Sequence, residues 1–116
     1  MTRHKLTKKT EFSQKERKKI MERDRGQCIF CMMGCPAAGA NFLDLDIKDI
    51  MHFIPRSQLG LGVERNGAVG CRFHHTQLDN GNKGMRAELL EKFEAYLRRC
   101  YPGWDKKELV YRKYNF

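Results

Sequence analysis

Proline occurs three times in this chain and tryptophan once, and 14 acidic residues face 23 lysines and arginines. No apolar run approaches the roughly 20 residues of a membrane span. The Lys/Arg-rich N-terminus leads into no apolar stretch, which argues against a secretory signal. The cysteines, at 28, 31, 35, 71 and 100, are odd in number. Without a secretory segment, that count favours reduced, metal-binding thiols over a disulfide framework. Internal repeats are absent too.

What is present is one small domain's worth of sequence. The chain has 116 residues, 41% of them apolar and 32% charged, with a mean hydropathy of −0.70. A domain of this size buries a limited share of its surface, so a staple is expected. The net charge of +9 is unevenly spread. Residues 1–26 carry ten Lys/Arg against four Asp/Glu, residues 27–82 four against five, and residues 83–116 nine against five. Basic flanks around a slightly acidic centre suit a polyanion held at the sides and a cation held in the middle. A nucleic acid is the expected partner, and a membrane is not.

Residues 1–13 read as a basic arm, with 1–9 mobile, and residues 14–116 as a single domain. A helix is predicted over 14–25. Ser13 and Glu16 match a capping box, Gly26 is a stop, and Phe12, Ile20 and Met21 are candidates to face inward. Lys15, Lys18 and Lys19 on its outer side are candidate phosphate contacts. Leu43, Leu45 and Ile47 alternate with Asp44 and Asp46, which predicts a strand over 42–47. A second strand is predicted over 50–54, ended by Pro55. A glycine-containing loop fills 56–67, with a brief return strand at Ala68–Val69. A short helix follows over 72–79. The firmest prediction is a helix over 85–100, where Leu89, Leu90, Phe93, Tyr96 and Leu97 recur at spacings of three and four. Asp105 caps a last turn through Leu109, and Val110–Phe116 reads as a short strand or packed tail.

Two motifs carry chemistry. Cys28-x2-Cys31 and Cys71-x2-His74 offer three sulfurs and one imidazole, a set that suits structural Zn²⁺. Cys35 could replace one of these ligands, but the x2 knuckle favours Cys31; Cys100 reads as a packed residue. The second motif is His52, Asn66 and His75. His52 at a strand end can act as general base near neutral pH. The Asn66 amide can orient His52 or ligate a metal. His75 points about 100° around its helix from His74, so one histidine can face the zinc and the other a cleft. Arg56, four residues after His52, could clamp a phosphate or stabilise a leaving group. Arg72 and Lys83 are weaker phosphate candidates. Trp104, Tyr101, Tyr111 and Tyr114 resemble packing residues, and no recognition helix is evident.

Together, Cys28-x2-Cys31, the run Met51-His52-Phe53-Ile54-Pro55-Arg56-Ser57, Gly60-x-Gly62, Asn66 and Cys71-x2-His74-His75 resemble the HNH endonuclease family. The likeness is greatest to small stand-alone members encoded by phages and prophages, and it covers about residues 25–82. The resemblance implies an α+β fold: a small zinc-stapled ββα-metal core with flanking N- and C-terminal helices, residues 83–116 forming a helical extension. It implies phosphodiester hydrolysis in DNA at low sequence specificity, with a catalytic Mg²⁺, Mn²⁺ or Ni²⁺. It makes His52 the base, Asn66 the central asparagine and His75 a metal ligand, with His74 where a fourth zinc cysteine often stands. The cytoplasm of a bacterial host is the implied location, and phage packaging or recombination proteins are possible partners. The alternatives are a non-catalytic zinc-stapled DNA-binding module and a partner-dependent component of a phage packaging or recombination complex. Many members carry Asp or His immediately before the base, where this chain has Met51. Asp79, one helical turn after His75, and Asp49 are the candidate substitutes.

Overall fold

The structure is a computed structural model that describes residues 3–80 and 84–112. Lys83 and Tyr114, considered above, lie outside them. Eight α-helices and strands follow in the order α1 (Arg3–Thr10), α2 (Gln14–Asp24), α3 (Ile29–Met32), α4 (Phe42–Asp46), β1 (Lys48–His52), β2 (Gly67–Cys71), α5 (Arg72–Asn80) and α6 (Arg86–Cys100). Short 3-10 turns lie at Arg56–Gln58, Glu64–Asn66 and Lys106–Leu109. The architecture is α+β: helices packed about one two-stranded antiparallel sheet. Among the described residues no helix is long and apolar enough to cross a membrane.

The N-terminal segment is not a free arm. It forms α1, the Lys9 carbonyl accepts from the Gly62 amide at 3.0 Å, and Thr10 and Phe12 are buried. A strongly polar sequence gives no apolar period to read, yet its end is anchored by backbone bonds and one ring. α2 is capped as expected by Ser13, whose Oγ accepts from the Glu16 amide at 3.2 Å. The return half of the capping box is not made: the Glu16 carboxylate accepts from the Glu64 amide at 2.8 Å and from Lys19 at 3.0 Å. The helix ends at Arg25 in the left-handed conformation, φ 58°, followed by Gly26 at φ 65°. Ile20 packs inward with Phe12, Val69 and Ile50, whereas Met21 is exposed.

The predicted strand over 42–47 is the helix α4. The Asn41 side chain caps it by accepting from the Asp44 amide at 2.8 Å. Phe42 and Leu43 are exposed by 80% and 64% and Ile47 is exposed too; of the three alternating apolar residues only Leu45 packs against the core, so the alternation presents no buried face that would select a strand. β1 begins at Lys48, pairing Lys48 with Cys71 and His52 with Gly67. The return strand is therefore longer than the two residues expected, and α5 starts directly from it.

One core joins sheet, α3, α5 and α6. Phe30, Met51, Phe93, Leu89 and Leu97 are all nearly inaccessible, and Phe53 meets Phe93 and Trp104 edge-on. Met51 lies against Gly70, where an added Cβ would stand 2.2 Å from Sδ. Gly60 is equally constrained: a Cβ there would meet the Ile54 carbonyl oxygen at 1.7 Å. A buried polar cluster ties α2 to the sheet and α6. Asp24 accepts from the Val69 amide at 2.9 Å and from the Tyr96 hydroxyl, while Arg23 grips Asp24 and donates to the Gly67 carbonyl at 2.7 Å.

Candidate metal centre and adjoining cleft

Cys28 and Cys31 flank the start of α3, and Cys71 and His74 span the junction of β2 and α5. The antiparallel pairing brings the two pairs together, and all four ligand atoms lie within 4.8 Å of one another. Cys31 Sγ is 3.8 Å from Cys71 Sγ, and His74 Nδ1 is 3.7, 3.5 and 3.3 Å from the sulfurs of Cys28, Cys31 and Cys71. A tetrahedral zinc with bonds of about 2.3 Å to sulfur and about 2.0 Å to nitrogen sets its ligands about 3.5–3.8 Å apart. His74 Nε2 donates to the Pro36 carbonyl at 2.9 Å, which leaves the Nδ1 lone pair for a metal. The Cys31 and His74 amides each point at the first sulfur of their own pair, at 3.4 Å. The cluster can hold a structural metal such as zinc, and Cys35 stands outside it.

Electrostatics at the cluster favour a cation. Burial acts to raise the Cys28 thiol, but hydrogen bonds from His74 and from the backbone of Cys71 and Cys31 bring it down to about 6. Burial, together with the neighbouring Cys28 charge, pushes the Cys31 thiol up to about 12. Burial also raises Cys71. Without an ion, one thiolate discourages the next; a divalent cation removes that conflict.

The other histidines open into a cleft of about 350 Å³ lined by His52, Pro55, Arg56, Ser57, Gln58, His75, Asp79 and Arg86. His52 Nε2 lies 2.7 Å from the Thr10 carbonyl oxygen, and its ring stacks on Phe12 with centroids 4.2 Å apart. A carbonyl only accepts, so Nε2 carries the proton and Nδ1 keeps its lone pair. The His52 pKa is lowered. Burial is the main cause, opposed by the Thr10 carbonyl and helped by the charges of Arg56 and Arg17. A neutral imidazole with a fixed tautomer is a competent proton acceptor.

His75 sits between two carboxylates. Nδ1 is 2.9 Å from Asp49 Oδ2, and Nε2 is 3.1 Å from Asp79 Oδ2. The carboxylates take opposite ring nitrogens, so the three groups cannot all reach one ion. A neutral imidazole that donates to Asp49 turns a lone pair from Nε2 toward an Asp79 oxygen, and two acceptors then converge. Cis ligands on an octahedral ion with bonds of about 2.0–2.2 Å stand about 3 Å apart, which fits this pair. Asp49 is itself clasped by Arg72, at 2.8 and 3.1 Å, and that guanidinium holds its carboxyl below the usual range. Asp79 thus faces the cleft as a candidate ligand, and Asp49 acts as orienter of His75.

Several sequence-based assignments change. Asn66 touches neither His52 nor His75. It is fully buried; its Oδ1 accepts from the Ile54 amide at 2.8 Å, and its Nδ2 donates to the Ile54 and Leu61 carbonyls at 3.1 and 2.8 Å. These bonds spend both amide protons, so neither is left to donate to His52, and they hold the chain leaving β1. Arg72 is committed to Asp49 and Lys19 to Glu16 and Glu64, which leaves Lys15 and Lys18 as the exposed lysines of that group. Met51 points into the core, away from the cleft. Arg56 does line the cleft, and its Nε donates to Thr10 Oγ1 at 3.3 Å. Arg86, which sequence reasoning passed over, lines it too and donates to the Asp79 carbonyl at 3.1 Å. Its one available signal was a cation in the first turn of the helix that follows the histidines.

No family model matches the chain, and no curated protein and no solved structure matches it.

Proposed function

We propose that the protein is a metal-dependent endonuclease of the HNH type that hydrolyses phosphodiester bonds in DNA with low sequence specificity. One arrangement carries this reading: the free Nδ1 of His52 and the converging His75–Asp79 pair share a single cleft edged by Arg56 and Arg86. The order β1, loop, β2, α5, tied at its base by the Cys28, Cys31, Cys71, His74 cluster, supports a zinc-stapled ββα-metal core.

In this reading His52 takes a proton from the attacking water at Nδ1, while the Thr10 carbonyl and the Phe12 ring fix its orientation. Arg56 and Arg86 hold non-bridging phosphate oxygens. Asp49 keeps the His75 ring aligned. A divalent cation bound by His75 and Asp79 would supply charge stabilisation at the phosphate and the departing oxygen. Zinc at the cysteine cluster has a structural role.

A second reading, a component of a phage packaging or recombination complex that needs a partner for activity, is favoured by the bare apolar surface of Phe42 and Leu43. Plasmid nicking separates the two. The nuclease reading expects conversion of supercoiled to open-circular DNA with Mg²⁺, Mn²⁺ or Ni²⁺, its loss in EDTA, and its loss in His52→Ala. Nicking at the parent rate by purified His52→Ala would refute it. An inactive parent restored by a packaging or recombination protein would favour the second reading.

A further inference from the structure

The cleft at His52 is one of two recesses that meet at His75 and Asp79. The second, about 630 Å³, is lined by Arg17, Met21, Lys48, Asp49, Ile50, Arg72, His75, Thr76, Asp79 and Asn80. Three of these residues are cations, and two have partners. The Lys48 ammonium donates to the Leu45 and Asp46 carbonyls, and Arg72 is bidentate on Asp49. Arg17 is exposed, and among the described residues its guanidinium has neither a hydrogen-bond nor an ion-pair partner. It projects from α2, a helix docked on the sheet by the Arg23–Asp24 cluster, so its placement is set by the fold.

A single small phosphodiester needs only the recess between His52, Arg56 and Arg86. A second recess opening on the same His75–Asp79 pair, with an unpaired guanidinium in its wall, suits a further phosphate of the same chain. Resting on the nuclease reading above, we propose that Arg17 is a second phosphate-binding residue and that the substrate is a polynucleotide strand lying across both recesses. The scissile phosphate sits at the His75–Asp79 pair, and a neighbouring phosphate sits on Arg17. The N-terminal helices, which lie outside the motif-bearing segment, thus complete the site twice: through Thr10 and Phe12 on the base, and through Arg17 on the substrate.

The test compares two substrates and one binding measurement in the zinc-loaded full chain. The substrates are bis(4-nitrophenyl) phosphate, which fills one recess, and a fluorescent DNA oligonucleotide. Assayed on the alkaline plateau of the pH profile, where a shift in the His52 pKa has no effect, Arg17→Ala is expected to lower kcat/KM on the oligonucleotide by about 10- to 100-fold and to leave hydrolysis of the small diester within about twofold. In a His52→Ala background with Mg²⁺, Arg17→Ala should weaken oligonucleotide binding and reduce the slope of log K against log salt by about one. Lys107→Ala, which removes an exposed charge outside both recesses, should leave that slope unchanged. Equal losses on both substrates, or an unaltered slope and unaltered cleavage, overturn the proposal. If the parent hydrolyses neither substrate, the nuclease reading fails on its own, and the salt slope still decides whether Arg17 binds phosphate.

Discussion

His52, Asp49 and Asn66 show how much a residue's role depends on what its second polar atom touches. His52 keeps one nitrogen for chemistry because the other is tied to a backbone carbonyl. Burial, assisted by Arg56 and Arg17, holds its pKa below the ordinary imidazole value. Protonation removes the lone pair, so a lowered pKa preserves the active form toward acid. The acid limb of log kcat against pH should therefore break below about 6.5. Replacing Arg56 or Arg17 by Ala removes a positive neighbour and should move that break upward. Asp49 is a positioning residue. Asp49→Asn weakens both the His75 and the Arg72 contacts and should reduce Mn²⁺ affinity by about 10- to 100-fold, read by electron paramagnetic resonance. Asn66 closes three hydrogen bonds in the interior. Asn66→Asp faces two carbonyl oxygens with a second acceptor, and Asn66→Ala leaves all three partners bare; each should cost about 2–4 kcal/mol in denaturant unfolding.

At the scale of elements, legibility followed the physical source of each signal. The metal cluster was readable because ligand spacing is a local geometric demand: Cys28-x2-Cys31 and Cys71-x2-His74 each fit around one ion whatever the rest of the chain does. The helix over 85–100 was readable because Leu89, Phe93 and Leu97 do bury one face. The segment 42–47 is a helix and not a strand because its alternation is not a burial pattern; Asn41 caps a short helix that turns Phe42 and Leu43 to solvent and only Leu45 to the core. α1 was misread for the opposite reason, since its attachment runs through backbone bonds and the aromatic Phe12 beyond its end. The place of Asn66 in the order of the motif was legible, but its partners were not, because Ile54 and Leu61 meet it only once the loop is closed. The β2–α5 junction carries both Cys71 and His74 of the cluster and His75 of the cleft, so a metal held at the cluster would support the proposed cation site. Stripping zinc with a strong chelator should lower Tm by about 10 °C or more and abolish Mn²⁺ binding at His75, measured by calorimetry and resonance on the same sample.

For the whole molecule, the basic excess in the flanking segments now has a geometric place. α2 and the start of α6 bring Arg17 and Arg86 to the two sides of the histidine pair, and Arg56 comes from the loop between the strands. Two of the five acidic residues of the central segment, Asp49 and Asp79, surround His75. In the proposed nuclease, a cation between basic walls would let a phosphodiester approach two carboxylates, so DNA binding should tighten when a divalent ion is added and weaken steeply with salt. In the proposed mechanism His52 supplies the base while a separate pair, His75 and Asp79, would hold the cation. Its most direct test is single-turnover cleavage of labelled duplex DNA by zinc-loaded His52→Ala with Mn²⁺ binding followed in the same tube. One Mn²⁺ should bind as in the parent, with cleavage slowed by about 10²- to 10⁴-fold. Undiminished cleavage, or Mn²⁺ binding lost along with His52, would contradict it.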